Sequence, residues 1–285
     1  MDAVITQVPA TTSNLGSGFD CLGVALDISN RVTVRQTDQA IEHPPMVAEA
    51  AQEFFRSAKT NPVPFTWSIE GDVPQSRGLG SSVTVRLGLL HGLNAITSAG
   101  LSGQQIFEIC AALEGHPDNA APAAFGGFTV AREKAEAIRA EVSPDLKFVL
   151  LIPDFEVLTP AARGILPDTL PRPDVVRSVN NACRVTAAFL QQRYELLRGC
   201  FADALHQPYR EPLIPFLNKT IAAGVKAGAL GGFLSGSGST ICCVTLVEDQ
   251  AVAAAMLDAA PPASQIVVTT ANNTGAEILS PVASE

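Results

Sequence analysis

A chain of 285 residues with 47% hydrophobic and only 16% charged residues can bury one large or two ordinary cores, which excludes a disordered protein. Its formal net charge of −9, with no clustered Lys and Arg, argues against a nucleic-acid partner. No apolar run is long enough to span a bilayer and Met1-Asp2 opens no signal-like segment, so a cytoplasmic protein with no membrane partner is expected.

Val4 to Val8 reads as a short strand ended by Pro9, followed by the polar loop A-T-T-S-N-L-G-S-G-F-D. Asn14 and Asp20 are the polar groups this loop offers a ligand. Asp20 precedes C-L-G-V-A-L, so its carboxylate is drawn toward the core and wants a cation, unless it caps its own turn. Leu22 to Arg35 reads as two β segments, Met46 to Lys59 as an amphipathic helix and Phe65 to Ile69 as a strand.

The stretch from Pro74 to Asn94 organises the rest. Gly78 and Gly80 form a loop, Ser81 and Ser82 start a helix, and apolar residues on two faces (Val83, Leu87, Leu90 and Val85, Leu89, Leu93) predict burial nearly all round. The N-terminal amides and dipole of such a helix are aimed at the glycine loop, an anion site suited to phosphate. The loop lacks the Lys of a P-loop and the third glycine of a dinucleotide fingerprint, and a tight strand-to-helix turn is its plainer reading. An acidic protein that holds a polyphosphate needs positive potential locally, from such a helix end, a few arginines or magnesium.

Ser102 opens S-G-Q-Q, a capping box with Gln105, before a helix whose stripe is Ile106, Ile109, Cys110 and Leu113. Glu108 falls opposite that stripe, as a solvated carboxylate or a magnesium ligand facing a cleft. After Gly115, H-P-D-N crowds His116, Asp118 and Asn119 beside an apolar strand, Phe125 to Ala131. The charged stretch from Arg132 to Asp145 marks a boundary between residues 1–146 and 147–285.

Phe148 to Ile152 is a buried strand. In T-P-A-A-R, Thr159 is an expected N-cap, with Arg163 one turn on. A long helical region runs from Asp174 to about Leu205, Arg210 sits in a loop where a lone arginine is usually solvated, and a helix follows from Ile214 to Lys226. F-L-S-G-S-G-S-T then places a second glycine loop between strands, either a plain turn or a wall closing a pocket. The helix Asp249 to Leu257, the strand Gln265 to Thr270 and a frayed tail complete the expectation. Six cysteines without C-x-x-C spacing read as reduced core thiols, and there are no internal repeats.

Taken together, V-P-A-T-T-S-N-L-G-S-G-F-D-C-L-G-V-A-L, P-Q-S-R-G-L-G-S-S and F-L-S-G-S-G-S-T resemble the GHMP kinases. E-G-H-P-D-N-A-A-P and H-Q-P-Y-R-E-P-L-I-P are most similar to the branch of that family that phosphorylates homoserine. The resemblance implies an α+β fold of two domains, the first like domain 2 of ribosomal protein S5 and the second ferredoxin-like, with the active site between them. It implies transfer of the ATP γ-phosphoryl group to the hydroxyl of L-homoserine. The loop bearing Pro74, Arg77, Gly78, Leu79, Gly80, Ser81 and Ser82 would wrap the ATP phosphates, and Ser82 with Glu108, eleven residues before Asn119, would hold Mg2+.

By the same resemblance Asn14 and Asp20 would take the ammonium and hydroxyl end of the acceptor, and Arg163 and Arg210 its carboxylate. His116, Asn119 and Thr159 would line the pocket. Asn119 stands where other GHMP kinases have an aspartate base, so catalysis by positioning is expected, with Ser82 and Glu108 completing the catalytic set. A homodimer is an open expectation. The rival readings are a kinase of another hydroxy acid and a non-catalytic sensor.

Overall fold

The computed structural model describes residues 3–132 and 137–279, so part of the charged boundary stretch and the expected frayed tail lie outside the described residues. Strands β1 (Val4–Ser13) and β2 (Leu22–Gln36) form a long antiparallel hairpin around the loop at residues 14–21. The register slips between Pro9 and Ala10, which face Ser29 and Leu26. This bulge lets the ladder pass a residue that has no amide proton. The break expected at Pro9 and the division of the second strand therefore do not occur.

Helix α1 (Pro45–Ala58) and strand β3 (Phe65–Gly71) precede α2 (Ser81–Thr97), of which Val83, Thr84, Leu87, Gly88, Leu89, Leu90, Gly92 and Leu93 are buried. A Cβ on Gly88 or Gly92 would come within 2.5 Å of Val32 or 2.4 Å of Val34. That spacing brings the helix directly onto β2. Helix α3 (Gly103–Glu114) carries the expected capping box of Ser102 and Gln105 and ends on Gly115 in the left-handed region. Phe125 closes a short α4 (Ala120–Phe125), so the strand expected from it is cut to β4 (Phe128–Val130), which pairs with β5 (Ile138–Ala140).

The second sheet starts at β6 (Lys147–Ile152). Helices α5 (Thr159–Gly164), α6 (Arg172–Leu190) and α7 (Gln207–Arg210) lead to α8 (Leu217–Lys226), β7 (Gly231–Leu234), β8 (Ile241–Thr245), α9 (Asp249–Asp258) and β9 (Gln265–Thr269). The expected helix to Leu205 stops at Leu190, because Gln192 turns left-handed (φ 52°) and the Arg193 amide folds back onto the Ala188 carbonyl. The strand order β7-β8-β6-β9, antiparallel throughout with α8 and α9 as crossovers, is the ferredoxin-like arrangement. The last strand, β10 (Glu277–Leu279), leaves this unit and pairs with β1, giving the first sheet the order β10-β1-β2-β4-β5 with β3 also on β2.

The layers follow from alternation along the strands. Phe148 and Leu150 of β6 face Ala10, Val24 and Phe128 of the first sheet across a core completed by Phe189 of α6, which stacks on Phe128 at 4.4 Å. Val149 and Leu151 point the other way, onto Leu217 and Met256 of α8 and α9. Buried on both faces, β6 reads as an unbroken apolar run. Helices α1 to α4 cover the outer face of the first sheet through Val8, Val32, Phe54, Leu87 and Ile106. All six cysteines are free; Cys110, Cys200, Cys242 and Cys243 are core thiols as expected, whereas Cys21 and Cys183 are exposed.

Candidate active site

The loops at residues 14–20 and 75–82, the turn after α3 and the segments bearing Arg163, Arg210 and Gly236 enclose a cleft of about 430 Å³. Its floor is the start of α2, whose N-cap, Gly80, has φ 70° and supplies no side-chain cap. The first amides of the helix therefore face the cleft without an intrahelical partner. A Cβ on Gly78 would lie 2.2 Å from the Ser235 carbonyl oxygen, and one on Gly80 2.2 Å from Thr11 Oγ1. Both glycines are thus required by neighbouring chain, and the second glycine loop is a wall of the cleft. Ser235 Oγ donates to the Gly78 carbonyl at 2.6 Å, and the Thr240 amide to that of Arg77 at 3.2 Å.

The other residues of the first glycine loop divide by task. Leu79 is fully buried and anchors the loop, its carbonyl accepting from the Thr11 amide. Pro74 lies outside the cleft, beside Ile152 and Gln265. Arg77 lines the cleft, but its guanidinium donates to the Pro153 carbonyl at 3.0 Å and faces Asp154 and Glu156 at 3.7 and 3.5 Å. Ser81 and Ser82 both line it, and Ser82 Oγ donates to Glu114 Oε2 at 3.0 Å.

The structure does not bring Glu108 to this place. It is exposed on the far face of α3, accepting from Gln104 at 2.9 Å, and borders a separate hollow with Phe107 and Ile109. Glu114 takes the position expected of it. Its side chain is 8% exposed, and its second oxygen accepts from Arg86 at 2.6 Å. The physical reason is helical geometry: Glu114 lies one turn beyond Cys110 on the buried stripe, whereas Glu108 lies opposite.

At the other end of the cleft Arg163 donates to both oxygens of Asp20 at 2.7 and 3.0 Å, and these hydrogen bonds to the carboxylate hold the Arg163 pKa above its usual value. Asn14 and Asp20 have φ of 69° and 57°, a conformation uncommon for residues with a Cβ and one that clusters at binding sites. The Asn14 side chain donates to the Gly236 carbonyl at 3.0 Å and accepts from the Asp20 amide at 3.0 Å. Arg210 is not the solvated loop residue that its sequence context suggests. It is 2% exposed, on α7, and donates to the carbonyls of Ala162 and Gly236 at 3.1 and 3.0 Å. Burial, reinforced by repulsion from Arg163, brings its pKa down to about 10, so it remains a cation at neutral pH.

His116 Nδ1 meets Asp118 Oδ1 at 2.8 Å; burial opposes protonation there, but the bond to Asp118 and its charge outweigh it and raise the pKa. Asn119 is pinned from both sides, accepting from Thr11 Oγ1 at 2.7 Å and donating to Ser13 Oγ at 3.0 Å. Thr159 is exposed on the rim. It is the first helical residue and not the N-cap, which is Leu158, and its hydroxyl bonds that of Ser237 at 3.3 Å. Sequence reasoning passed over Glu114, Arg86, Thr11, Ser13 and Phe19. Glu114 alone carried a signal, its place on the stripe; the others are assembled by chain segments far apart in sequence.

Burial holds two histidines, His91 on α2 and His206, at a pKa of about 4, against 6.5 for a free imidazole. The unfolded chain takes up these protons near pH 6.5 and the folded protein refuses them until about pH 4. Stability is therefore complete above pH 6.5 and falls as pH drops through that window, by about 1.4 kcal/mol per unit per histidine. The raised pKa of His116 acts in the opposite sense, so the expected result is a net fall. Urea midpoints at pH 7.5, 5.5 and 4.5 check this, and a flat or rising series contradicts it.

Residues 45–127 match the family profile of the GHMP kinases N terminal domain, and residues 186–263 that of the GHMP kinases C terminal domain. A homoserine kinase of Aquifex aeolicus is 35% identical over 293 residues, spanning 96% of this chain and 99% of that protein. A homoserine kinase of Caldicellulosiruptor bescii is 36% identical over 262 residues, spanning 86% of this chain and 85% of that protein. The crystal structure of homoserine kinase from Cytophaga hutchinsonii superposes with a TM-score of 0.89 at 25% identity, covering 98% of both chains. A mevalonate kinase shares the fold at 13% identity, with a TM-score of 0.72 over 94% of this chain and 99% of the other. Among the described residues no helix is long and apolar enough to cross a membrane. With matched segments in both halves and a 35% identical relative spanning nearly its whole length, the chain belongs to the GHMP kinase family.

Proposed function

We propose that this protein is an ATP-dependent kinase that transfers a phosphoryl group to the side-chain hydroxyl of L-homoserine, giving O-phospho-L-homoserine for threonine synthesis. The observation that carries the reading is the pairing of two ends in one cleft. An uncapped helix N-terminus suited to phosphate lies at one end, and Asp20 with Arg163 and Arg210 at the other. An α-amino acid carries the same two charges as the Asp20–Arg163 pair and can exchange with it, its ammonium to Asp20 and its carboxylate to the arginines. Charge-assisted hydrogen bonds of this kind are worth about 1.5–3 kcal/mol each, enough to favour an amino acid over an uncharged alcohol. The names of the relatives point to the same acceptor.

The donor set fits a magnesium nucleotide. Ser82 and Glu114 offer hard oxygens beside the helix end, as Mg2+ requires, and Arg86 balances the Glu114 charge. When bound, ATP supplies the phosphoryl group and Mg2+ neutralises charge on its oxygens. The chain's own residues do the rest by alignment. The amides at Ser81 and Ser82 hold the phosphates, while Met46 and Val85 offer an apolar edge to the same cleft. Asn119, immobilised by Thr11 and Ser13, orients the acceptor hydroxyl and cannot take its proton. In this reading the first domain is residues 1–146 with β10 returned to it, the second is the remainder, and the enzyme is cytoplasmic.

ADP release with Mg-ATP against L-homoserine, L-serine, L-threonine, shikimate and mevalonate tests the assignment. Turnover with L-homoserine alone is expected. Turnover with shikimate or mevalonate in its place would overturn the acceptor pocket, and silence across the panel would overturn the kinase reading.

A further inference from the structure

Of the four histidines only His206 is fully enclosed, at 0% exposure. It stands behind the acceptor end of the cleft, at the start of α7. Asp203 fixes it there by accepting from the amides of Leu205, His206 and Gln207 at 2.8, 2.9 and 2.8 Å, which ties down the first turn of that helix.

The two ring nitrogens have different partners, and the partners dictate the tautomer. Nε2 lies 2.8 Å from the Gly16 carbonyl oxygen, which can only accept, so Nε2 carries the proton. Nδ1 then presents a lone pair, and it lies 3.2 Å from Arg210 Nη1, which can only donate. Asp203 Oδ2 is the nearest anion, 3.5 Å from Nε2. Phe19 stacks on the imidazole at 5.1 Å, and its ring also sits beneath the guanidinium groups of Arg163 and Arg210 at 5.5 and 5.3 Å. Gly16 and Phe19 belong to the loop that bears Asn14 and Asp20. One buried ring therefore touches both the loop proposed for the ammonium end and the arginine proposed for the carboxylate end.

We propose that His206 is a positioning residue for the acceptor: a neutral, two-ended strut that sets Arg210 and the loop at residues 14–20 at a fixed separation. With Nε committed to Ala162 and Nη1 shared between His206 and Gly236, Nη2 is the nitrogen of Arg210 that has no protein acceptor among the described residues. The strut selects which edge of the guanidinium is offered to a carboxylate. Protonation at Nδ1 would set a cation against Arg210; burial keeps the imidazole neutral down to about pH 4, so the strut holds across the working range. This inference rests on the reading that Arg210 binds the acceptor's carboxylate.

The test compares wild type with His206→Asn and His206→Gln, using L-homoserine and 3-amino-1-propanol, which lacks only the carboxylate. Asparagine can place an acceptor where Nδ1 was, whereas glutamine can place a donor where Nε2 was. His206→Gln is expected to raise KM for L-homoserine about tenfold, with kcat and the KM for ATP within about twofold, because Arg210 loses an acceptor. His206→Asn is expected to bring KM for L-homoserine back to within about threefold of wild type, and kcat/KM for 3-amino-1-propanol should not move in His206→Gln, which can keep the donor to Gly16. An unchanged KM in His206→Gln, or equal losses with both acceptors in that variant, would overturn the strut. Wild type that handles the two acceptors alike would overturn the carboxylate clamp itself, and the strut with it.

Discussion

Replacing Arg210 by methionine is expected to lower kcat/KM for L-homoserine by about 10- to 100-fold while leaving ATP binding within a few-fold of wild type. Only Nη2 of Arg210 is left for the carboxylate, and one charge-assisted hydrogen bond at about 1.5–3 kcal/mol lost with the guanidinium is a factor of about 10 to 10². Methionine fills much of the stem's volume, but the Ala162 carbonyl loses the Arg210 donor and that of Gly236 keeps only Asn14, so a lower melting temperature accompanies the kinetic loss. Steady-state kinetics, with nucleotide affinity measured separately, distinguish the two effects. If acceptor and ATP affinities fall together, Arg210 is a structural tie and the clamp reading fails.

The second large effect concerns Glu114, the carboxylate proposed to hold magnesium beside the start of α2. Glu114→Gln is expected to cut kcat by about 10²-fold at ordinary magnesium and to recover part of it at high magnesium, since one hard anionic oxygen has been exchanged for a weaker neutral one. Glutamine keeps the shape and can still accept from Ser82, so the fold survives; Arg86 loses its closest anion but retains Glu49 at 3.2 Å. Glu108→Gln, on the exposed face of α3, is expected to change turnover by less than about twofold. Turnover measured against magnesium concentration for both variants decides the assignment. Equal damage in the two, or damage in Glu108→Gln alone, would return the metal to Glu108.

Much of the local structure at the α2 end of the cleft was legible in the sequence, because its signals are local. A glycine loop, two serines and an apolar helix lie within one continuous stretch, and the capping box of α3 spans four residues. The acceptor end was legible as a set of residue types, but its geometry was not. Arg210 looked solvated because nothing nearby in sequence covers it; Ala162 and Gly236 cover it from elsewhere in the chain. Glu108 was placed at the metal by a residue count back from Asn119 and Glu114 was passed over, although the helical stripe of α3 points to Glu114. In the strands, Pro9 misled because a bulge in the partner accommodates it. Past Leu190 no Gly or Pro intervenes until Gly199, so the turn at Gln192 had no composition to announce it.

Strand β10 ties Ile5 to Leu279 and Gln7 to Glu277, so the outermost ladder of the first sheet joins segments more than 260 residues apart. During synthesis the first sheet is bare along that flank until β10 has emerged, and β1 presents an unpaired edge in the meantime. Contacts of such long range are slow to form because the intervening loop must close first. The order of assembly thus runs against the order of translation at this edge: β1 is made long before the strand that covers it and stays open to pairing with another nascent copy throughout that interval.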